Sequence, residues 1–212
     1  VSMVDITGRK TAEKELIKRD RFLNGVTKAL EHLIGNQDFD NAVVEALSII
    51  GTEINVDRAY VYKNLLSEEG DVVMGLTYEW SKEGVIPMPA DLLRGRISYK
   101  EKGLLRWYSL LRRGKIISGT VDSFTDRERE LLQSLSIQSL LVVPIVMRDN
   151  FWGLIGFDDC STLRSWSESE KSILQAFAGT LAEAISRNDS ETELRRAKEE
   201  AEAATRSKSE FL

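Results

Sequence analysis

The chain has 212 residues, 42% hydrophobic and 30% charged, and its 29 basic and 34 acidic residues give a net charge of -5. That length supports one sizeable core with polar helical extensions rather than two full domains, and the mixed charge leaves no basic field for nucleic acid or an anionic membrane surface. Cys160 is the only cysteine, which excludes an internal disulfide and a zinc cluster and points to a reducing, cytoplasmic setting. No apolar run approaches the ~20 residues of a membrane helix, so no membrane contact is expected.

From about Thr11, Leu16, Leu23, Val26, Leu30 and Leu33 recur at heptad-compatible spacing, predicting a helix that ends at Gly35-Asn36. A second helix is predicted from about Asp38 to Ile54, with Phe39, Val43, Leu47, Ile50 and Ile54 as its buried stripe. The residues Ala59 to Tyr62 and Val72 to Trp80 are aromatic and β-branched, as strands are, with a turn at Gly70. Between Ser81 and Thr120 glycine and proline break the pattern, leaving one short amphipathic helix around Leu104, Trp107, Leu110 and Leu111 and a short strand at Lys115 to Ser118.

Thr125 with Glu128 has capping-box spacing and opens a helix whose Leu131, Leu132 and Leu135 turn inward. Two apolar runs, Gln138 to Met147 and Phe151 to Phe157, joined by Arg148-Asp149-Asn150, predict a central hairpin with an irregularity at Pro144. Ser167 with Glu170 is a second capping box, starting a long helix through Ile173, Leu174, Phe177, Leu181, Ala184 and Ile185. It continues into an Ala-rich, charged stretch where Leu194, Ala197, Ala201, Ala204, Lys208 and Phe211 form a weak coiled-coil seam. The absent initiating Met and the abrupt final residues predict that both ends are internal to a longer chain.

The run Leu140-Leu141-Val142-Val143-Pro144-Ile145, the strand Trp152 to Asp159, and Arg164-Ser165-Trp166-Ser167-Glu168 before a long helix resemble a GAF domain of bacterial PAS- and GAF-containing sensor histidine kinases. The resemblance implies an α+β fold: an antiparallel sheet of five or six strands, terminal helices on one face and a ligand-type cavity on the other. Asp5 to Glu13 is similar to the exit motif of a PAS domain, and Ala197 to Leu212 to the helix leading into a kinase dimerisation domain. The implied organisation is residues 1–20 as the end of a PAS domain and linker helix, 21–187 as the GAF domain, and 188–212 as a coiled-coil signalling helix. The parent is then an ATP-dependent histidine kinase in a two-component phosphorelay, and this portion carries no catalysis of its own.

Aromatic and apolar residues suited to a cavity are Tyr60, Tyr62, Tyr78, Trp80, Trp107, Leu111, Ile117, Leu140 and Val142, which serve equally as core filling. Alternation is expected to send one of Tyr60 and Tyr62 to the cavity face. Glu79, Arg94, Arg96 and Arg106 are the polar candidates. Cys160 follows the last strand without a neighbouring histidine, so no bilin, haem or metal is expected, and an unknown small ligand is the remaining candidate. The residues that mark cyclic-nucleotide binders do not fall at suitable spacing.

His32, the only histidine, lies in a packed helix and reads as structural rather than as a phosphoacceptor. Asp158 and Asp159 are adjacent on a strand and point to opposite sides, so turn formation or an ion pair with Arg164 is expected instead of paired catalysis. No phosphate-binding loop is present. A homodimer through the terminal helices is expected, with Leu16, Leu23, Leu30, Leu181, Asn188, Leu194 and Ala201 as dimer and signalling positions. The heptad phase slips by one residue near Asn188, a natural place for a switch. The competing classes are a structural dimerisation spacer with a filled core and, more remotely, a small-molecule enzyme.

Overall fold

Alternation along six antiparallel strands divides this protein into two apolar clusters, one on each face of a single sheet. A computed structural model describes residues 3–35, 38–89 and 95–210, so that Asn36, Arg94 and Phe211 lie outside the described residues. The elements are α1 (Met3–Gly35), α2 (Phe39–Glu53), β1 (Arg58–Leu66), β2 (Val72–Ser81), β3 (Arg96–Ser98), α3 (Leu105–Leu111), β4 (Ile117–Thr120), α4 (Asp126–Ser134), β5 (Ser139–Met147), β6 (Asn150–Asp159) and α5 (Glu168–Glu210). The sheet order is β3-β2-β1-β6-β5-β4. The α+β architecture is thus the one the family resemblance implied, with β3 added from the segment whose pattern was weakest.

Helices α1, α2 and α5 cover one face, where Phe22, Ala29 and Leu33 of α1 and Val43, Leu47 and Ile50 of α2 meet Leu174, Phe177 and Leu181 of α5. These sit on Val61, Leu141, Val143, Ile145, Ile155 and Phe157, alternate residues of β1, β5 and β6. Leu181 is 0% exposed and therefore belongs to this core rather than to a dimer seam, while Leu16, Leu23, Leu194 and Ala201 are exposed and Leu30 is half-buried.

Local chemistry fixes the helix starts. The Asp38 carboxylate accepts the Asn41 N–H at 3.2 Å to cap α2. The Glu128 carboxylate accepts the Thr125 N–H at 3.1 Å, and Glu170 accepts from the Ser167 N–H at 2.7 Å, so both capping boxes form. Arg148 and Asp149, with φ of 48 and 65, make the two-residue turn between β5 and β6, and Asn150 pairs with Met147 as the first residue of β6. Pro144 pairs with Leu154 beyond the end of β4, which stops at Val142, and the irregularity falls one step later, between Ile145 and Val146.

Strand β2 carries an extra residue: the register passes from Val61↔Tyr78 to Tyr62↔Leu76, leaving Thr77 without a partner on β1. A bulge of this kind inverts the facing of everything after it. Met74 and Leu76 face away from the helices, whereas Tyr78 and Trp80 pack into the helical cluster.

Candidate functional site

The face opposite the helices is covered by α3, α4 and the stretch around Met88, and it holds a small apolar cavity. Tyr60 and Tyr62 of β1, Val142 of β5, Leu154 of β6 and Met74 of β2 form its floor, and Trp107 of α3 with Leu132 of α4 helps to roof it. Its volume is about 60 Å³, room for roughly four or five water molecules and well below the ~300 Å³ of the smaller ligand clefts.

Four of the residues expected from sequence, Tyr60, Tyr62, Trp107 and Val142, line the cavity. Leu111, Ile117 and Leu140 belong to the same apolar cluster without lining it. Tyr78 and Trp80 are on the other face, a correction whose cause is the Thr77 bulge. Both Tyr60 and Tyr62 face the cavity, since residues two apart on a strand share a side, and their rings meet edge to face at 5.6 Å. Sequence reasoning missed Met74, Met88, Ile97, Lys102, Leu104 and Leu154 as lining residues. Leu154 alternates with the expected set and was findable; Met88 and Ile97 lie in the irregular segment, where no period marks a facing.

A buried polar network closes one end of this face. The Tyr60 hydroxyl donates to Asp158 Oδ1 at 2.9 Å, and Arg58 Nη2 lies 3.3 Å from Asp158 Oδ2, with Arg58 and Asp158 2% and 0% exposed. Arg58 also donates to the carbonyls of Leu135, at 2.9 Å, and Ile86, at 3.4 Å, tying the α4 exit and the cavity cover to β1. Burial pushes the Asp158 carboxyl up to about 6, against the lowering effect of Arg58 and Tyr60. Arg58 does not offset the burial, because it points donors at two carbonyls and leaves Oδ2 without an aligned hydrogen bond.

The other polar expectations resolve differently. Glu79, carried to the cavity face by the bulge, accepts the Met88 N–H at 3.0 Å and so holds the cover. Arg106 forms a two-pronged pair with Glu128 at 2.9 and 2.8 Å, and Arg96 is exposed. Arg164 pairs with Glu170 at 2.7 Å and stacks on Trp166 at 4.1 Å, so it is not the partner of Asp158 or Asp159. Asp159 instead accepts the Thr162 N–H at 2.9 Å in the turn after β6. Cys160 is half-buried and burial pushes its thiol up to about 11, which makes it a poor nucleophile. Among the described residues no group of three metal-ligating side chains occurs and no helix is long and apolar enough to cross a membrane.

Helix α5 links the helical face to the outside. Ile185 is its last buried residue up to Ala203, and Asn188, half-buried, shares a polar groove with Asp38 and Asp40 at the start of α2 and with Thr192 and Arg195. From Asp189 to Ala203 every residue is exposed, and ion pairs such as Arg196–Glu200 at 2.9 Å run along the surface.

This sheet, with its helical layer and roofed opposite face, defines a class. A model of the GAF domain matches residues 38–185, and the chain belongs to the GAF domain family. The methanogenesis regulatory histidine kinase FilI of Methanothrix harundinacea (strain 6Ac) is 37% identical over 196 residues. That match covers 92% of this chain and 22% of the relative, so the chain spans about a fifth of that protein. Among solved structures, the phycocyanobilin-bound GAF domain of a cyanobacterial phytochrome is similar at TM-score 0.66 and 19% identity, covering 79% of this chain and 95% of that one. The chromophore-binding domain of the bacteriophytochrome RpBphP3 from R. palustris is similar at TM-score 0.68 and 16% identity, covering 82% and 62%.

These structures correct one expectation. Domains of this fold hold biliverdin, phycocyanobilin or phycoerythrobilin in their solved structures, so the position of Cys160 and the lack of a nearby histidine are no ground for excluding a bilin. At this level of identity the likeness concerns the fold alone.

Proposed function

We propose that this chain is the cytoplasmic sensory and signal-relay module of a two-component sensor histidine kinase, preceded by a PAS domain and followed by the kinase dimerisation and ATP-binding domains. The observation that carries the reading is the shared use of β5 and β6. Val142 and Leu154 line the cavity, while Leu141, Val143 and Ile155, their chain neighbours, pack in the cluster with Leu174, Phe177 and Leu181 of α5. A tightly packed core passes a change of fit from one side of a strand to the other. Helix α5, 43 residues or about 65 Å long at 1.5 Å per residue, then carries it beyond the domain.

The exposed stretch of α5 and Leu16 and Leu23 of α1 are the surfaces for a second copy, giving a homodimer through the terminal helices. A solvated single helix with only surface ion pairs gains about 0.2–0.5 kcal/mol per pair, so pairing is its natural source of order. Residues 1–20, 21–187 and 188–212 act as entry linker, GAF domain and signalling helix. The relative's regulatory kinase activity supports this placement. The test is autophosphorylation of the full-length parent with Leu154→Phe, which fills the cavity: a several-fold change in rate without loss of folding supports the relay.

The small cavity favours a second reading, a GAF fold that acts as a dimerising spacer. It predicts that Leu154→Phe alters stability alone and leaves phosphorylation unchanged.

A further inference from the structure

Three side chains lining the cavity, Tyr62, Trp107 and Lys102, carry a donor with no acceptor among the described residues. Tyr62 is 4% exposed and its hydroxyl makes no hydrogen bond with a described residue, unlike Tyr60, which is engaged with Asp158. Trp107 is 6% exposed, and its indole Nε1 is buried with no partner among the described residues. Lys102 lines the cavity from its exposed side, with no ion pair to a described residue. Among the described residues no carboxylate, amide or imidazole lines the space, and the acceptors there are the phenol oxygens of Tyr60 and Tyr62 and the weakly accepting thioethers of Met74 and Met88. Burial also pushes the Tyr62 phenol upward, keeping it a neutral donor. The buried Trp107 N–H, unmatched among the described residues, calls for an acceptor, and Tyr62 and Lys102 offer further donors to the same space.

Size narrows that acceptor. A volume of about 60 Å³ admits a body of only a few carbon atoms, and the one charged side chain among the described lining residues, Lys102, is positive. We propose that the cavity takes a short-chain monocarboxylate, with two to four carbons beyond the carboxyl group. Its hydrocarbon end rests on Met74, Ile97, Val142 and Leu154, and its carboxylate takes up the free donors of Trp107, Tyr62 and Lys102. This rests on the sensory reading of the cavity and names its ligand class.

Isothermal titration of the chain with butanoate, decanoate, butan-1-ol and butylammonium tests it. Butanoate binds more tightly than the other three. Lys102→Met, which keeps the stem and removes the charge, weakens butanoate about fivefold and leaves butan-1-ol unchanged; Trp107→Phe weakens butanoate about tenfold. Equal binding of butylammonium, tighter binding of decanoate, or an unchanged butanoate affinity in a natively melting Lys102→Met chain overturns the assignment. If butanoate does not bind while Leu154→Phe still alters phosphorylation of the parent, the ligand class is wrong and the relay stands. If butanoate binds as described and phosphorylation ignores Leu154→Phe, the relay is wrong and the ligand class stands.

Discussion

Trp80 of β2 lies so close to Gly51 of α2 that a methyl group on Gly51 would overlap its indole ring. The contact exists because the Thr77 bulge turns Trp80 toward the helices, and it ties the sheet to the helical layer at a glycine inside a helix. Gly51→Ala, ordinarily favourable in a helix, should here destabilise the domain by about 1–3 kcal/mol through overpacking. Urea denaturation checks it, and Trp80→Leu in the same chain should relieve part of the loss.

Tyr60 stands against Gly156 in the same manner, with its ring in the space of a side chain there. Gly156→Ala should therefore displace Tyr60 and break its hydrogen bond to Asp158, whereas Tyr60→Phe removes only the bond. Both lower stability, Tyr60→Phe by about 1–3 kcal/mol, with Gly156→Ala the larger; thermal melting ranks them.

Asp158 and Glu128 should show opposite pH behaviour. Burial raises the Asp158 carboxyl to about 6 in the fold from an ordinary 3.8, so the folded state holds its proton more tightly. Its effect is a destabilisation absent below the ordinary value and complete above about 6, on the order of 3 kcal/mol. Glu128 is also buried, which pushes it up, but the bonds from Arg106 and Thr125 outweigh burial and lower it. Its contribution is present above the ordinary carboxylate value and lost as pH falls through the lowered one. Urea titrations from pH 3 to 7 should lose their downward slope between pH 4 and 6 in Asp158→Asn. In Glu128→Gln that slope should remain.

Asn188 marks where α5 leaves the domain, beside Asp38 and Asp40. Leucine there would replace a polar groove contact with an apolar one at the point where the heptad phase slips. In the full-length parent Asn188→Leu should lock phosphorylation at one level, measured with and without the stimulus; a normal response contradicts the switch.

Much of this fold was readable because its signals are local. The two capping boxes, the Arg148-Asp149 turn and the apolar runs of β5 and β6 each announce themselves within a few residues. The cavity set was readable where alternation is unbroken, from Tyr60 to Tyr62 and at Val142. It failed at Tyr78 and Trp80 because nothing within β2 marks Thr77 as the extra residue; the bulge is a property of pairing with β1. Arg58 as partner of Asp158 was equally hidden, since the two meet only once β1 and β6 are side by side. Leu181 carried a heptad-like spacing, and the packing of α5 against α1 and β5 claimed it for the core.

Hydrogen exchange along residues 186–203 of α5 tests the coupling of cavity to helix most directly. Native chain and Leu154→Phe should differ in protection there as well as around the cavity, because β5 and β6 bear on both. A difference confined to the cavity-lining segments, with α5 exchanging identically in the two chains, would contradict it.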